Sequence, residues 1–183
     1  MITTIIVIAV VVLLVLWIIS AQRKLVNAEE MTKNAMSQIG VQQSSRWDAL
    51  TGLVELLKSY NEHEYNTLKD IIAARSSIGA GSTAKEAQAQ EDMITSVLSR
   101  ISIVAEQYPN LKADSMYMDT MNSVNTYENQ VRMSRMVYND SVTRYNRLTR
   151  QIPDSIVASL FHFTEKEYLK EETSKKDMPS LKI

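Results

Sequence analysis

The chain has 183 residues, with 20 Lys and Arg against 21 Asp and Glu for a formal net charge of −1, and it contains no cysteine. The lack of cysteine excludes disulfides, thiolate metal sites and cysteine nucleophiles together, and the balanced charge excludes a global basic field able to hold nucleic acid by counterion release. Only four glycines and three prolines punctuate the sequence, which favours a few long helices over many short elements.

The first twenty residues carry no charged side chain and are apolar almost throughout. About 20 apolar residues in a helix rising 1.5 Å each cross the ~30 Å hydrocarbon layer. In lipid every backbone N–H and C=O must be bonded within the segment, so a helix is expected despite the β-branched run. Residues 1–20 are therefore read as a transmembrane anchor, with Ile5, Leu13, Leu14 and Leu16 facing lipid and Trp17 near one interface. A cleaved signal peptide fits less well, because no Lys or Arg precedes the apolar run and Ser20-Ala21-Gln22 is a weak cleavage site. Arg23 and Lys24 flank the C-terminal side alone. The positive-inside rule then places residues 21–183 in the cytoplasm and the N-terminus outside.

From Ala21 to about Ser77 no proline occurs, and Met36, Ile39, Trp47, Leu50, Leu53, Val54, Leu57, Leu68, Ile71 and Ile72 recur at steps of three and four. That spacing predicts one long amphipathic helix continuing out of the membrane. Gly40 and Gly52 lie inside it as the places where it would kink. Gly79 and Gly81 mark a break, and Thr83 followed by Glu86 forms a capping box that opens a second helix from about Ala84 to Glu106. Pro109 stops it. Asp114 caps a third helix that runs to about Gln151, in which Val131, Tyr138, Tyr145 and Ile152 fall seven apart, with Val142 and Leu148 between them, as a coiled-coil-like seam. After Pro153 a short helical turn spans 154–163, and residues 164–183 read as a charged, poorly ordered tail.

The fold class is thus all-α: a single N-terminal transmembrane helix continuing into an antiparallel bundle of three long helices plus a short C-terminal helix, with residues 21–163 as the bundle. Short connections predict the second helix antiparallel to the first and the third parallel to it. On those directions the membrane-proximal stalk, about 21–50, lacks an internal partner while presenting Met31, Met36, Ile39 and Trp47. Together with Leu160, Phe161 and Phe163 of the C-terminal turn, these residues form the expected interface with another copy.

No residue cluster announces chemistry. Glu62, His63 and Glu64 are adjacent and diverge by about 100° on a helix, so they cannot share a metal, and His162 between Phe161 and Phe163 reads as a packing or interface residue. Arg132, Arg135, Arg147 and Arg150 share one side of the third helix and are read as a charged face, with Glu128 pairing to Arg132. The 10 methionines suit adaptable packing. No catalytic residue, metal, cofactor or nucleic-acid partner is expected.

Lys33-Asn34-Ala35-Met36-Ser37-Gln38-Ile39, Val41-Gln42, Arg46-Trp47-Asp48, Leu53-Val54-Glu55 and His63-Glu64 resemble the segment that follows the membrane helix in the LemA family. Ala105-Glu106-Gln107-Tyr108-Pro109-Asn110-Leu111-Lys112-Ala113, Tyr138-Asn139 with Val142, Tyr145-Asn146 and the stretch from Pro153 to Phe163 resemble it in order and spacing as well. The chain departs from the family pattern at Gly40, where Asp is usual, at Thr51-Gly52, where Pro-Asn is usual, and at Tyr127, where Thr is usual. The resemblance implies a bacterial cytoplasmic-membrane protein with a cytoplasmic helical bundle, and no enzymatic activity is established for the family.

The reading that follows is a non-enzymatic, single-pass inner-membrane scaffold that self-associates through its helical domain. The alternative is a monomeric membrane-tethered adaptor that docks a different protein through the stalk and the 155–163 patch.

Overall fold

The computed structural model describes residues 1–170, all helices and connections with no strand among the described residues. α1 spans Ile2–Leu57, α2 Glu62–Ala73, α3 Ala84–Gln107, α4 the single turn Pro109–Lys112, α5 Ser115–Arg150 and α6 Asp154–Leu160. At 56 residues, α1 is about 84 Å long.

The long first helix does not reach Ser77 as its periodicity suggested. It ends at Leu57, because Asn61 adopts an extended backbone and its side chain accepts from the Glu64 N–H at 3.0 Å, starting α2 afresh. Directions follow from the cross-contacts. Gln43 Nε2 donates to the Ala87 carbonyl (3.3 Å) and Trp47 Nε1 to Gln90 Oε1 (3.0 Å), so α3 runs parallel to α1. Tyr65 donates to Glu55 (3.3 Å), Arg75 pairs with Asp48 (3.3 Å) and Ile78 lies against Gly40, so α2 and residues 74–83 return antiparallel. Thr120 lies by Gly52, Glu128 reaches Arg46 (3.5 Å) and Leu148 packs by Ala21 and Leu25, so α5 is antiparallel too. The expected directions of the second and third long helices are both reversed. The physical reason is that the turn at 58–61 lets α2 and the following loop take the antiparallel place beside α1.

The remaining helix ends use the residues the sequence marked. Thr83 and Glu86 form the capping box, and the Thr83 N–H holds the Glu86 carboxyl below its ordinary range. Asp114 accepts from the Met116 and Tyr117 N–H groups. At the far end of the molecule Trp47, Leu50, Leu53, Leu57, Leu68, Ile94, Val97, Ile101, Leu111 and Val124 are buried in one core. Along α1 the buried positions include 21, 25, 28, 32, 35 and 39, then 43, 46, 50, 53 and 57, with Met36, Gly40, Trp47 and Val54 buried beside them. These are heptad steps of four and three, with one inserted step of four between 39 and 43, a stutter that shifts the buried stripe beside Gly40. Gly40 is needed there for closeness rather than for a kink. A Cβ would stand 2.0 Å from the Ile78 carbonyl oxygen, whereas one at Gly52 would meet only Thr120 Cγ2 at 3.7 Å.

Candidate membrane and interaction surfaces

Residues 2–16 of α1 are exposed on every side, and no other described part of the chain covers them. Ile5, Leu13, Leu14 and Leu16 present bare side chains around the whole helix. A surface of this composition suits an apolar medium, and the whole uncharged run of residues 1–20, about 30 Å as a helix, is long enough to cross the hydrocarbon layer. Trp17 and Ile18 are half-buried, packed beside Ala21, Leu25, Val157 and Ala158. The bundle therefore begins where the apolar run ends, with Arg23 and Lys24 exposed at that level.

The residues expected to form an uncovered stalk divide. Met36, Ile39 and Trp47 are 1 %, 0 % and 2 % exposed, buried inside the chain's own core, and only Met31 stays exposed. The stalk is not unpartnered. At 36 residues, α5 is about 54 Å long and descends beside residues 21–57 of α1 over nearly their full length. Leu160 and Phe161 are exposed, while Phe163 packs against the small core at the base. Val131, Tyr138, Tyr145 and Val142 occupy the α5 seam as their spacing predicted, but Ile152 lies beyond the helix end and is 81 % exposed.

Residues 164–170, read from sequence as part of a loose tail, lie along α5, with Leu169 buried beside Ala35, Met36, Ile39, Tyr138 and Val142. The expectation for 171–183 lies outside the described residues. The grip on this segment is specific. Asn146 accepts from the Lys166 N–H and donates to the Lys166 carbonyl, both at 2.9 Å, and Asn139 does the same for Leu169, both at 3.0 Å. An amide carries an acceptor and donors on one plane, so it can close a ring with the N–H and C=O of a single residue. The spacing fits as well. Seven helical residues rise about 10.5 Å and three extended residues about 10 Å, so Tyr-Asn pairs seven apart meet extended residues three apart. Tyr138 donates to the Glu167 carbonyl (3.1 Å), and Arg135, buried in the α5 seam, donates to the Lys170 carbonyl (2.6 Å). Lys166 pairs with Glu29 (3.0 Å) and lies over the Tyr145 ring, closing the strap against α1. Burial and the nearby Glu29 charge push the Tyr145 phenol up to about 12. The Tyr-Asn repeat was visible in the sequence. What it holds was not, because the contacts are to backbone and the gripped segment has little apolar content.

The arginine row on α5 is likewise divided among partners. Arg135 serves the strap, Arg150 pairs with Glu165 (2.9 Å) and Arg132 bonds Asn129. Glu128 crosses to Arg46, which also holds buried Glu91, tying α1, α3 and α5 by charge. His63 is exposed on α2, and its neighbour Glu64 turns to Arg100 (3.8 Å). Among the described residues no group of three His, Asp or Glu side chains could hold a metal. His162 is exposed at the end of α6 in the left-handed region, φ 60°. The Phe163 N–H reaches the Ala158 carbonyl and the His162 N–H the Ser159 carbonyl, the double closure of a Schellman motif in which glycine usually stands at that position.

A helical bundle whose first helix extends well beyond it as a bare apolar rod is the architecture of a membrane-associated protein. The chain belongs to the LemA family, whose model matches residues 35–183, beginning beyond the apolar segment. It is also similar to the Protein LemA of Metamycoplasma hominis, at 24 % identity over 129 residues, which is 70 % of this chain and 59 % of that protein. The chain thus spans well under two thirds of that relative's length.

Proposed function

We propose that the protein is a non-enzymatic, single-pass scaffold of the bacterial inner membrane, with its N-terminus outside and its bundle in the cytoplasm, working as a self-associated assembly. The observation that carries the proposal is the bare apolar surface of residues 2–16 continuing without a break into a well-packed bundle. Arg23 and Lys24 support the orientation. Burial of Met36, Ile39 and Trp47 removes the stalk as the contact between copies. The exposed stripe Met133, Met136 and Val137 on α5 takes its place, since the three lie on one outward face at helical spacing. Anchoring confines copies in parallel in two dimensions, which raises their effective concentration and favours contacts too weak to form in solution.

Crosslinking from a cysteine placed at Met136 in native membranes, with native mass measurement in detergent, tests the assembly. A species larger than one copy is expected, and it should disperse when residues 1–20 are deleted or when Met136→Asp is introduced. A clean monomer in membranes refutes self-association. Protease accessibility from the two membrane faces tests the orientation, and digestion of the bundle from outside refutes it.

A further inference from the structure

The described surface holds several features that membrane anchoring does not use, and α6 is the one whose surroundings define a partner. It has two apolar faces. Val157 and Ala158 are buried on Ala21 and Leu25 of α1. Ile156 and Leu160, four apart, are 59 % and 63 % exposed, with Ile152 and Phe161 exposed at either end. Advancing 100° per residue, Ile156 and Leu160 lie about 130° from the centre of the buried face, and the polar positions Ser155 and Ser159 form a separate strip. A helix apolar on more than one side requires an apolar medium on each, and the bundle supplies only one.

The place of α6 says which medium supplies the other. It rests on residues 17–25, where the apolar rod of α1 enters the bundle and where Trp17 is half-buried. Above it the helix α1 is covered by α5. Below it residues 2–16 are covered by no other described residue. Its free face therefore stands at the level where the bare apolar surface of α1 begins. Arg23, Lys24 and Arg147, exposed at the same end of the molecule, suit anionic headgroups around it. Asp154 is the one acid or base in residues 152–161, and at 100° per residue it lies about 10° from the centre of the buried face, away from Ile156 and Leu160.

We infer that α6 is a second membrane contact: Ile152, Ile156, Leu160 and Phe161 sink into the headgroup–acyl boundary beside the α1 anchor, so that the bundle rests on the bilayer at two points instead of swinging from one. The inference rests on α1 spanning the membrane, and the experiment separates the two. Because the natural chain has no cysteine, single nitroxide labels can be placed in the full-length protein at Ile156→Cys, Leu160→Cys, Ser159→Cys, Leu13→Cys and Met118→Cys. The protein is reconstituted in vesicles of phosphatidylcholine and phosphatidylglycerol, and each label's collision with oxygen, which prefers lipid, is compared with that of a neutral nickel chelate, which prefers water.

Labels at Ile156 and Leu160 are expected to favour oxygen and to lose nickel accessibility relative to Met118, at a depth shallower than Leu13. Ser159 should be more open to nickel than either neighbour. Ile156 and Leu160 as open to nickel as Met118, with Leu13 protected, would leave the anchor standing and overturn the contact. Exclusion of both reagents at 156 and 160 would overturn it in favour of a protein partner. Nickel access at Leu13 would sink the anchor and the inference together.

Discussion

The two helical glycines of α1 should respond to the same substitution with opposite signs. Alanine in a helix is favoured over glycine by about 1 kcal/mol where space allows. At Gly52 it does allow it, since the nearest atom to an added Cβ is Thr120 Cγ2 at 3.7 Å. Gly52→Ala should therefore stabilise by about 1 kcal/mol, or roughly 2–4 °C in Tm for a domain of this size. At Gly40 an added Cβ would stand 2.0 Å from the Ile78 carbonyl oxygen and 2.8 Å from its carbon, both backbone atoms. The loop must then withdraw from α1, loosening Ile78 from the core it partly covers. Overpacking of this kind costs about 1–3 kcal/mol, enough to outweigh the propensity gain and leave Gly40→Ala destabilised by about 1 kcal/mol or more. Thermal unfolding in detergent, followed by far-ultraviolet circular dichroism, measures both. Ile78→Ala in the Gly40→Ala background should restore little, because the obstacle is main chain. If Gly40→Ala gains as much as Gly52→Ala, the close approach of residues 76–79 to α1 is wrong.

Four more outcomes are expected. Arg46→Met should cost about 3–5 kcal/mol by stranding buried Glu91, and adding Glu91→Leu should recover most of it; urea titration of the single and double variants reads the coupling, and simple additivity would count against the buried pair. Asn146→Ala removes two hydrogen bonds from Lys166, about 2 kcal/mol, so its amide should exchange roughly 30-fold faster while Leu169, held by Asn139, changes little; hydrogen exchange with mass detection decides this, and unchanged rates would remove the clamp. His162→Gly relieves a left-handed residue at the end of α6 and should stabilise by about 1 kcal/mol, visible as a raised Tm. The unfolded chain ionises a tyrosine near pH 10 and the folded one holds Tyr145 protonated to about 12, so its contribution is intact below about pH 10 and is lost as pH rises through that interval. Tyr145→Phe should flatten the alkaline fall in stability there, and an unchanged slope would exclude Tyr145 as its source.

The parts of the fold written in strong local chemistry were legible in the sequence. Thr83 with Glu86, Asp114 and Pro109 placed three helix ends, and the uncharged N-terminus announced a bare apolar helix long enough to cross a membrane. The errors have physical causes. Asn61 with an acid three residues on was a helix start hidden in a continuous apolar rhythm, and missing it reversed the directions of everything after. Much of the α1 seam is Ala21, Ala28, Thr32, Ala35 and Gln43, residues that bury well against a close neighbour yet add little to a hydrophobic pattern. Met36 and Ile39 therefore looked isolated when they belong to a full-length stripe. The strap escaped because Asn139 and Asn146 recognise main chain, which any residue type offers.

The antiparallel pairing of α1 with α5 also orders events in time. Opposite Gly52 lies Thr120, but Leu148 packs against the cluster that holds Ala21 and Leu25, and the strap that finishes covering Met36 and Ile39 runs through residues 164–170. The loop to be closed thus lengthens steadily toward the apolar end of α1, and contacts far apart in sequence form later. The hairpin closes like a zip from its distal end downward. During synthesis α1 is made before its partner, and the lower half of the seam stays open until α5 and residues 164–170 have followed. That half therefore spends the longest interval incomplete, with Leu25, Met36 and Ile39 waiting for their cover.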